Sequence, residues 1–248
     1  MLRRCQRAVA LALALAACVI HFWFVRIRGP LTLNRRALWL QSACRGVLAS
    51  LGISVTVEGL VPTRGLVVAN HLSYVDIAIF SSVMPCCFVS KQEVIRWPFF
   101  GWAARAGGTI FLDRSSRASA NAAAVLISDR LSHPVPVLLF PEGTSTDGSQ
   151  VHRFHGRLIH PATELGAPIT AAAVRYVPDG DTPERELCWF GDQEFLPHLF
   201  KLLGLEGFTA LVRFGEPRVY KDRRTAAAQT RAEVTAMRSE AVLEVASR

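Results

Sequence analysis

Gly65-Leu66-Val67-Val68-Ala69-Asn70-His71-Leu72-Ser73-Tyr74-Val75-Asp76 decides the fold class of this 248-residue chain. Its first five residues read as a short buried strand, and the polar residues that follow sit where α/β proteins place ligands, just past a strand end. His71 and Asp76 are separated by five positions. On one continuous helix that spacing would turn their side chains apart by about 140°. With His71 in the turn before a helix capped by Ser73, the Asp76 carboxylate reaches back to the imidazole. Such a contact fixes the tautomer and orientation of the ring and stabilises the imidazolium formed when it takes a proton. A histidine beside a strand also has a purely structural reading.

Outward from this segment, Ser54–Glu58 alternates as a strand does, and Val135–Phe140 is a second apolar run bounded by prolines. Thr170–Tyr176 and Thr209–Phe214 are further strand candidates, separated by long helical or irregular stretches. Leu38–Leu51 carries Trp39, Leu40, Ala43 and Val47 on one rough helical face, and Gly52 supplies a stop. The pattern predicts an α/β fold, a mixed sheet flanked by helices, with an N-terminal membrane-associating helical segment. We divide the chain into a basic-flanked anchor over 1–37, the α/β domain over 38–222 and a helical tail over 223–248, solvated and amphipathic from Thr225 onward.

Half the residues are apolar and 19% are charged, where soluble chains average roughly 25% charged. Large apolar surfaces follow, and a membrane contact accounts for them. The net charge of +8 is concentrated at Arg3, Arg4, Arg7, Arg26, Arg28, Arg35 and Arg36, in a stretch without Asp or Glu. Basic residues flanking an apolar run suit an anionic lipid surface. A nucleic-acid binder would instead interleave basic residues with exposed aromatics on a folded face, and no such stripe is present. Ala8–Val25, interrupted by His21, would be roughly 27 Å long as a helix, marginal for a span. Leu15-Ala16-Ala17-Cys18 resembles a lipoprotein cleavage box, yet the apolar run continues to Val25, which favours an uncleaved anchor. Cys5, Cys18, Cys44, Cys86, Cys87 and Cys188 show no metal or redox spacing and read as neutral thiols in a reducing compartment.

Two further segments carry chemistry-bearing residues. Phe140-Pro141-Glu142-Gly143-Thr144-Ser145 ends an apolar run, its Gly permitting close backbone approach to a ligand and Glu142 offering a polar anchor. Gly107-Gly108-Thr109-Ile110-Phe111-Leu112-Asp113-Arg114 ends on a guanidinium suited to an oxyanion or phosphate. Each alone also reads as ordinary turn chemistry. His152, His155 and His160 lack a completing Cys or carboxylate, so no metal is expected. The absence of a Gly-x-Ser-x-Gly elbow and of a Gly-Lys-Ser/Thr loop disfavours a covalent serine enzyme and a P-loop nucleotidase.

In this order, the three blocks resemble the glycerolipid acyltransferase family that includes the 1-acylglycerol-3-phosphate acyltransferases: His71…Asp76 its His-x4-Asp motif, Gly108…Arg114 its Gly-x-x-Phe-x-x-Arg motif, and Glu142-Gly143-Thr144 its Glu-Gly-Thr motif. Ala167-Pro168-Ile169 is similar to the start of a fourth block. The resemblance implies that His71 and Asp76 are catalytic, His71 being the general base on an acceptor hydroxyl that attacks a thioester directly, with no acyl-enzyme. It implies that Arg114, Glu142, Gly143 and Thr144 line the acceptor site, with backbone N–H groups near Gly143 as oxyanion donors. The implied acceptor is a lysolipid and the donor acyl-CoA or acyl carrier protein, a co-substrate with no bound cofactor. The implied location is the cytosolic face of a bacterial inner membrane. Ser145 stands where members acting on lysophosphatidic acid commonly carry Arg, and the sequence around it looks more like the branch that acylates lyso-ornithine lipid. Ala171 stands where many members have a second proline. A non-catalytic membrane-binding protein would have lost His71 or Asp76, and both are present.

Overall fold

The computed structural model of the protein describes residues 1–113 and 116–246. Its strands are β1 (Ile53–Glu58), β2 (Leu66–Ala69), β3 (Cys87–Lys91), β4 (Ile110–Leu112), β5 (Val137–Leu139), β6 (Ile169–Pro178) and β7 (Phe208–Phe214). They form one mixed sheet in the order β1-β7-β6-β2-β5-β3-β4. β6, β2, β5, β3 and β4 are mutually parallel, whereas β7 is antiparallel to β6 and parallel to β1. The helices are α1 (Leu2–Ile27), α2 (Leu33–Leu51), α3 (Val75–Val83), α4 (Phe100–Ala106), α5 (Arg117–Leu131), α6 (His160–Glu164), α7 (Phe195–Leu202) and α8 (Arg223–Ala246).

Central strands covered on both faces lose all contact with water, which is why β2 and β5 are continuous apolar runs rather than alternating ones. Val67, Ala69 and Leu138 pack into a core under α1, α2 and α3, and Leu66, Val68 and Leu139 into a second core under α5 and α8. The expected mixed sheet is present. β3 was not foreseen: it is short, follows Pro85 and ends on Ser90-Lys91, and its strand character comes from lying between β5 and β4. α2 begins at Leu33, earlier than its apolar face suggests, because the Thr32 hydroxyl accepts the Arg35 amide and caps it. Gly52, at φ 70°, ends it. The boundary drawn after residue 37 therefore falls inside α2. The tail is more than a solvated helix, since Ala226, Ala227 and Val234 are buried in the second core and Thr230 between them is buried with its hydroxyl on the Ala226 carbonyl.

α1 is, among the described residues, the one helix long and apolar enough to cross a membrane. It packs lengthwise on the domain. Leu11, Leu15, Cys18, Phe22 and Val25, spaced four and three apart, meet the first core. The Trp39 indole donates to the Cys18 carbonyl at 3.1 Å, and Phe22 sits edge-on to Trp39 and Trp102. The opposite stripe, Val9, Leu13, Ile20, Trp23 and Ile27, is exposed. All six cysteines are free thiols, with only Cys5 exposed. Burial raises the thiol pKa values, to about 11 at Cys18 and about 12 at Cys44 and Cys87.

Candidate active site

The sheet order makes the site. β2 and β5 are neighbours with Val68 opposite Leu139, so the residues just beyond them meet at one edge. There the His71 amide donates to Glu142 Oε1 at 2.8 Å. The His71 ring stacks on Phe140 with centroids 4.1 Å apart.

Asp76 lies in the first turn of α3, and its side chain is fully buried. Its Oδ2 accepts from His71 Nδ1 at 2.8 Å, the Leu72 amide at 2.7 Å and the Ser73 amide at 3.0 Å. Its Oδ1 accepts a short bond from the Tyr176 hydroxyl. These donors supply the compensation that a buried carboxylate requires. The turn geometry expected for His71 and Asp76 is thus present, with one difference: the Ser73 hydroxyl accepts from the Val75 amide at 3.3 Å, and Asp76 supplies the capping acceptor for Leu72 and Ser73. Nδ1 bound to a carboxylate leaves Nε2 as the ring nitrogen available to a substrate proton. Burial and the Asp76 charge push the Tyr176 hydroxyl well above its ordinary range, so Tyr176 remains a proton donor.

Glu142 is buried, and both of its oxygens are taken within the chain, Oε1 by the His71 amide and Oε2 by the His152 amide at 2.7 Å. Burial raises its pKa, opposed by those two bonds. Gly143 has φ 80°, a conformation that side chains disfavour, and its amide closes a turn onto the Phe140 carbonyl. The Thr144 and Ser145 amides have no acceptor among the described residues, and both residues line the cavity. Arg114 lies outside the described residues.

Several site residues were missed in the sequence. The Asn70 carboxamide exchanges two bonds with the Val174 backbone, at 3.0 and 2.9 Å, extending the β2–β6 ladder past its end. Thr146 holds the His71 carbonyl through its amide at 2.9 Å. Arg238 of α8 donates to Val174, to the Gly148 carbonyl at 2.7 Å and to Glu184 at 3.1 Å, tying the loop after Glu142 to β6. Only the position of Asn70 next to His71 carried any local signal.

His71 opens into a cavity of about 860 Å³. Its far walls are apolar, from Leu11 and Cys18 of α1, Leu40, Ala43 and Val47 of α2, and Leu199 of α7. Its polar end holds His71, Glu142, Ser145, His155 and Arg157. His152 and His160 are exposed apart from it, and among the described residues no three His, Cys, Asp or Glu side chains gather as a metal site.

A half-buried histidine held by a fully buried aspartate at a strand edge, opening into a cavity with largely apolar walls, suits transfer of an aliphatic acyl group. The family model described as Acyltransferase matches residues 53–175, and the chain belongs to the acyltransferase family. It is 37% identical over 218 residues to the lyso-ornithine lipid O-acyltransferase of Pseudomonas aeruginosa, covering 84% of this chain and 80% of that protein. It is 36% identical over 150 residues to the 1-acyl-sn-glycerol-3-phosphate acyltransferase of Neisseria meningitidis, covering 59% of this chain and 58% of that one. The crystal structure of the 1-acyl-sn-glycerophosphate acyltransferase of Thermotoga maritima shares the fold, with a TM-score of 0.67 at 18% identity over 94% of this chain and 97% of that chain.

Proposed function

We propose that the protein transfers a fatty acyl group from a CoA or acyl carrier protein thioester to the hydroxyl of a lysolipid. The observation that carries this reading is the His71–Asp76 pair at the polar end of the 860 Å³ apolar cavity. His71 Nε2 takes the acceptor proton as its oxygen attacks the thioester carbonyl, and Asp76 holds the resulting imidazolium. The Thr144 and Ser145 amides, rather than that of Gly143, are the oxyanion donors, because Gly143 is committed to Phe140. Glu142 acts as a positioning residue: with both oxygens on backbone amides it aligns His71 and the loop that follows, instead of holding a head group. Collapse of the oxyanion breaks the C–S bond and expels the thiolate, which takes the proton from the His71 imidazolium, so no covalent enzyme intermediate and no cofactor is needed.

Lyso-ornithine lipid is the favoured acceptor, since Ser145 offers no bidentate partner to a phosphomonoester. Lysophosphatidic acid is the alternative, with Arg114 among the residues that would hold the phosphate. α1 lies along the lipid surface instead of spanning it, one apolar stripe on the domain and the other in the bilayer. The cytosolic face of a bacterial inner membrane fits a soluble thioester donor. Incubating purified protein with labelled acyl-CoA or acyl carrier protein, and with both acceptors side by side, tests the reading. Transfer to lyso-ornithine lipid supports it, exclusive transfer to lysophosphatidic acid reverses the acceptor assignment, and transfer to neither removes the function.

A further inference from the structure

Helix α7 (Phe195–Leu202) is apolar on two sides. Phe195 and Leu199, one turn apart, line the cavity, and the buried His198 fixes this inner side through a 3.0 Å bond with the Tyr74 hydroxyl. One position further round, Leu196 and Phe200 are 71% and 59% exposed. A helix at a water boundary needs only one apolar stripe, and a second one marks a contact with something apolar.

The position of α7 identifies that contact. The N-terminus of α1 is tied to α7 and the turn that follows it: the Arg4 guanidinium lies 5.0 Å from the centre of the Phe200 ring of α7, and in the turn after it Arg7 donates to the Leu205 and Glu206 carbonyls at 2.7 and 2.9 Å and Arg3 pairs with Glu206 at 3.5 Å. The outer side of α7 is therefore continuous with the start of α1, which carries exposed Leu2 and Val9. Lys201 of α7 pairs with Glu186, and Asp179 and Glu206 face Arg7 and Arg3, so the basic character here belongs to Arg3, Arg4 and Arg7 of α1, in a stretch without Asp or Glu that suits an anionic surface.

We infer that α7 is a second lipid-inserting element, with Leu196 and Phe200 entering the acyl boundary of an anionic bilayer while the arginines of α1 sit at headgroup level. The inference rests on the surface placement of α1 proposed above. It makes α7 a partition one helix thick between bilayer and cavity, Leu196 and Phe200 facing one and Phe195 and Leu199 the other.

The test uses the full chain in a Cys5→Ser background, carrying an environment-sensitive fluorophore on Leu196→Cys. Phosphatidylethanolamine–phosphatidylglycerol vesicles with quenchers near the headgroups should shift the emission to the blue and quench it. A probe on Leu126→Cys, exposed on α5 across the sheet, should not respond. Quenching at Leu13→Cys of α1 without quenching at 196 overturns the inference, and quenching at neither overturns it together with the surface placement of α1. A response at 196 to protein concentration and not to vesicles assigns this side to a second copy, which also overturns it. Because the readout is fluorescence, failure of the transfer activity is a separate result. In addition, Leu196→Glu combined with Phe200→Glu should lower vesicle binding by about tenfold or more, since two buried apolar side chains are lost. Transfer between short-chain soluble substrates should stay unchanged, and an equal loss there overturns the inference.

Discussion

The two ends of the cavity are built by opposite means. At the polar end the buried carboxylates are held by named donors, four on Asp76 and two on Glu142, and Asn70 and Arg238 lock the neighbouring strands. At the apolar end α1, α2 and α7 meet mainly through side-chain packing, with a few arginine and indole bonds at the margins. Hydrogen bonds fix direction to within tenths of an ångström, whereas apolar contact fixes volume and leaves orientation loose. One end is suited to placing a proton, the other to accommodating a flexible chain.

Breaking the polar end should have the largest effect. His71→Ala should lower transfer by roughly 10² to 10⁴-fold, the contribution typical of a general base. Its melting temperature should remain near wild type, because the ring is partly exposed and the buried Asp76 keeps its three other donors, the Leu72 and Ser73 amides and the Tyr176 hydroxyl. Initial rates and thermal unfolding of the same preparation check both parts.

Arg238→Ala tests whether the polar end depends on a residue far from the chemistry. It leaves Glu184 and the Val174 and Gly148 carbonyls without their buried cation, a loss of about 3–5 kcal/mol in comparable buried pairs. Denaturant unfolding should show the loss of stability, with activity falling as the loop after Glu142 loosens.

His198 of α7 bonds the Tyr74 hydroxyl just before α3, and burial lowers its pKa to about 4 from an ordinary 6.5. Folded His198 stays neutral while the unfolded chain takes up a proton, so its contribution is complete above pH 6.5 and lost as pH falls through 4. The full difference corresponds to about 3 kcal/mol. His198→Asn cannot titrate in this range, and its stability should therefore fall less steeply than wild type between those limits. Unfolding curves at successive pH values measure the slope.

Tyr176→Phe removes one donor to Asp76 while keeping the ring that packs on Phe208. A hydrogen bond to a charged group contributes about 1.5–3 kcal/mol. Transfer should fall by about tenfold as the Asp76 carboxylate loses its fixed orientation. In an Asp76→Asn background the same change should add little, which a double-mutant cycle reads directly. At the apolar end, Ala43→Phe should shorten the acyl chains accepted, each excluded methylene forfeiting about 0.8 kcal/mol. The measurement is the ratio of long-chain to short-chain transfer, with the short-chain rate near wild type.

What the sequence determined by itself is local. Apolar runs at β2 and β5 had to be buried strands, and polar residues directly after them had to lie at a strand edge, because periodicity and turn chemistry act over a few residues. His71 and Asp76, five positions apart, could be paired on that basis, as could the turn at Gly143. Tertiary structure decided everything that joins distant parts of the chain. The sheet order alone brings Glu142 to the His71 amide, β6 brings Tyr176 to Asp76 across a separation of 100 positions, and α8 brings Arg238 to Gly148 across 90. It also turned Glu142 inward and laid α1 along the domain. The physical reason is that burial and hydrogen bonding are satisfied by whichever group the fold presents, and no local pattern records that partner.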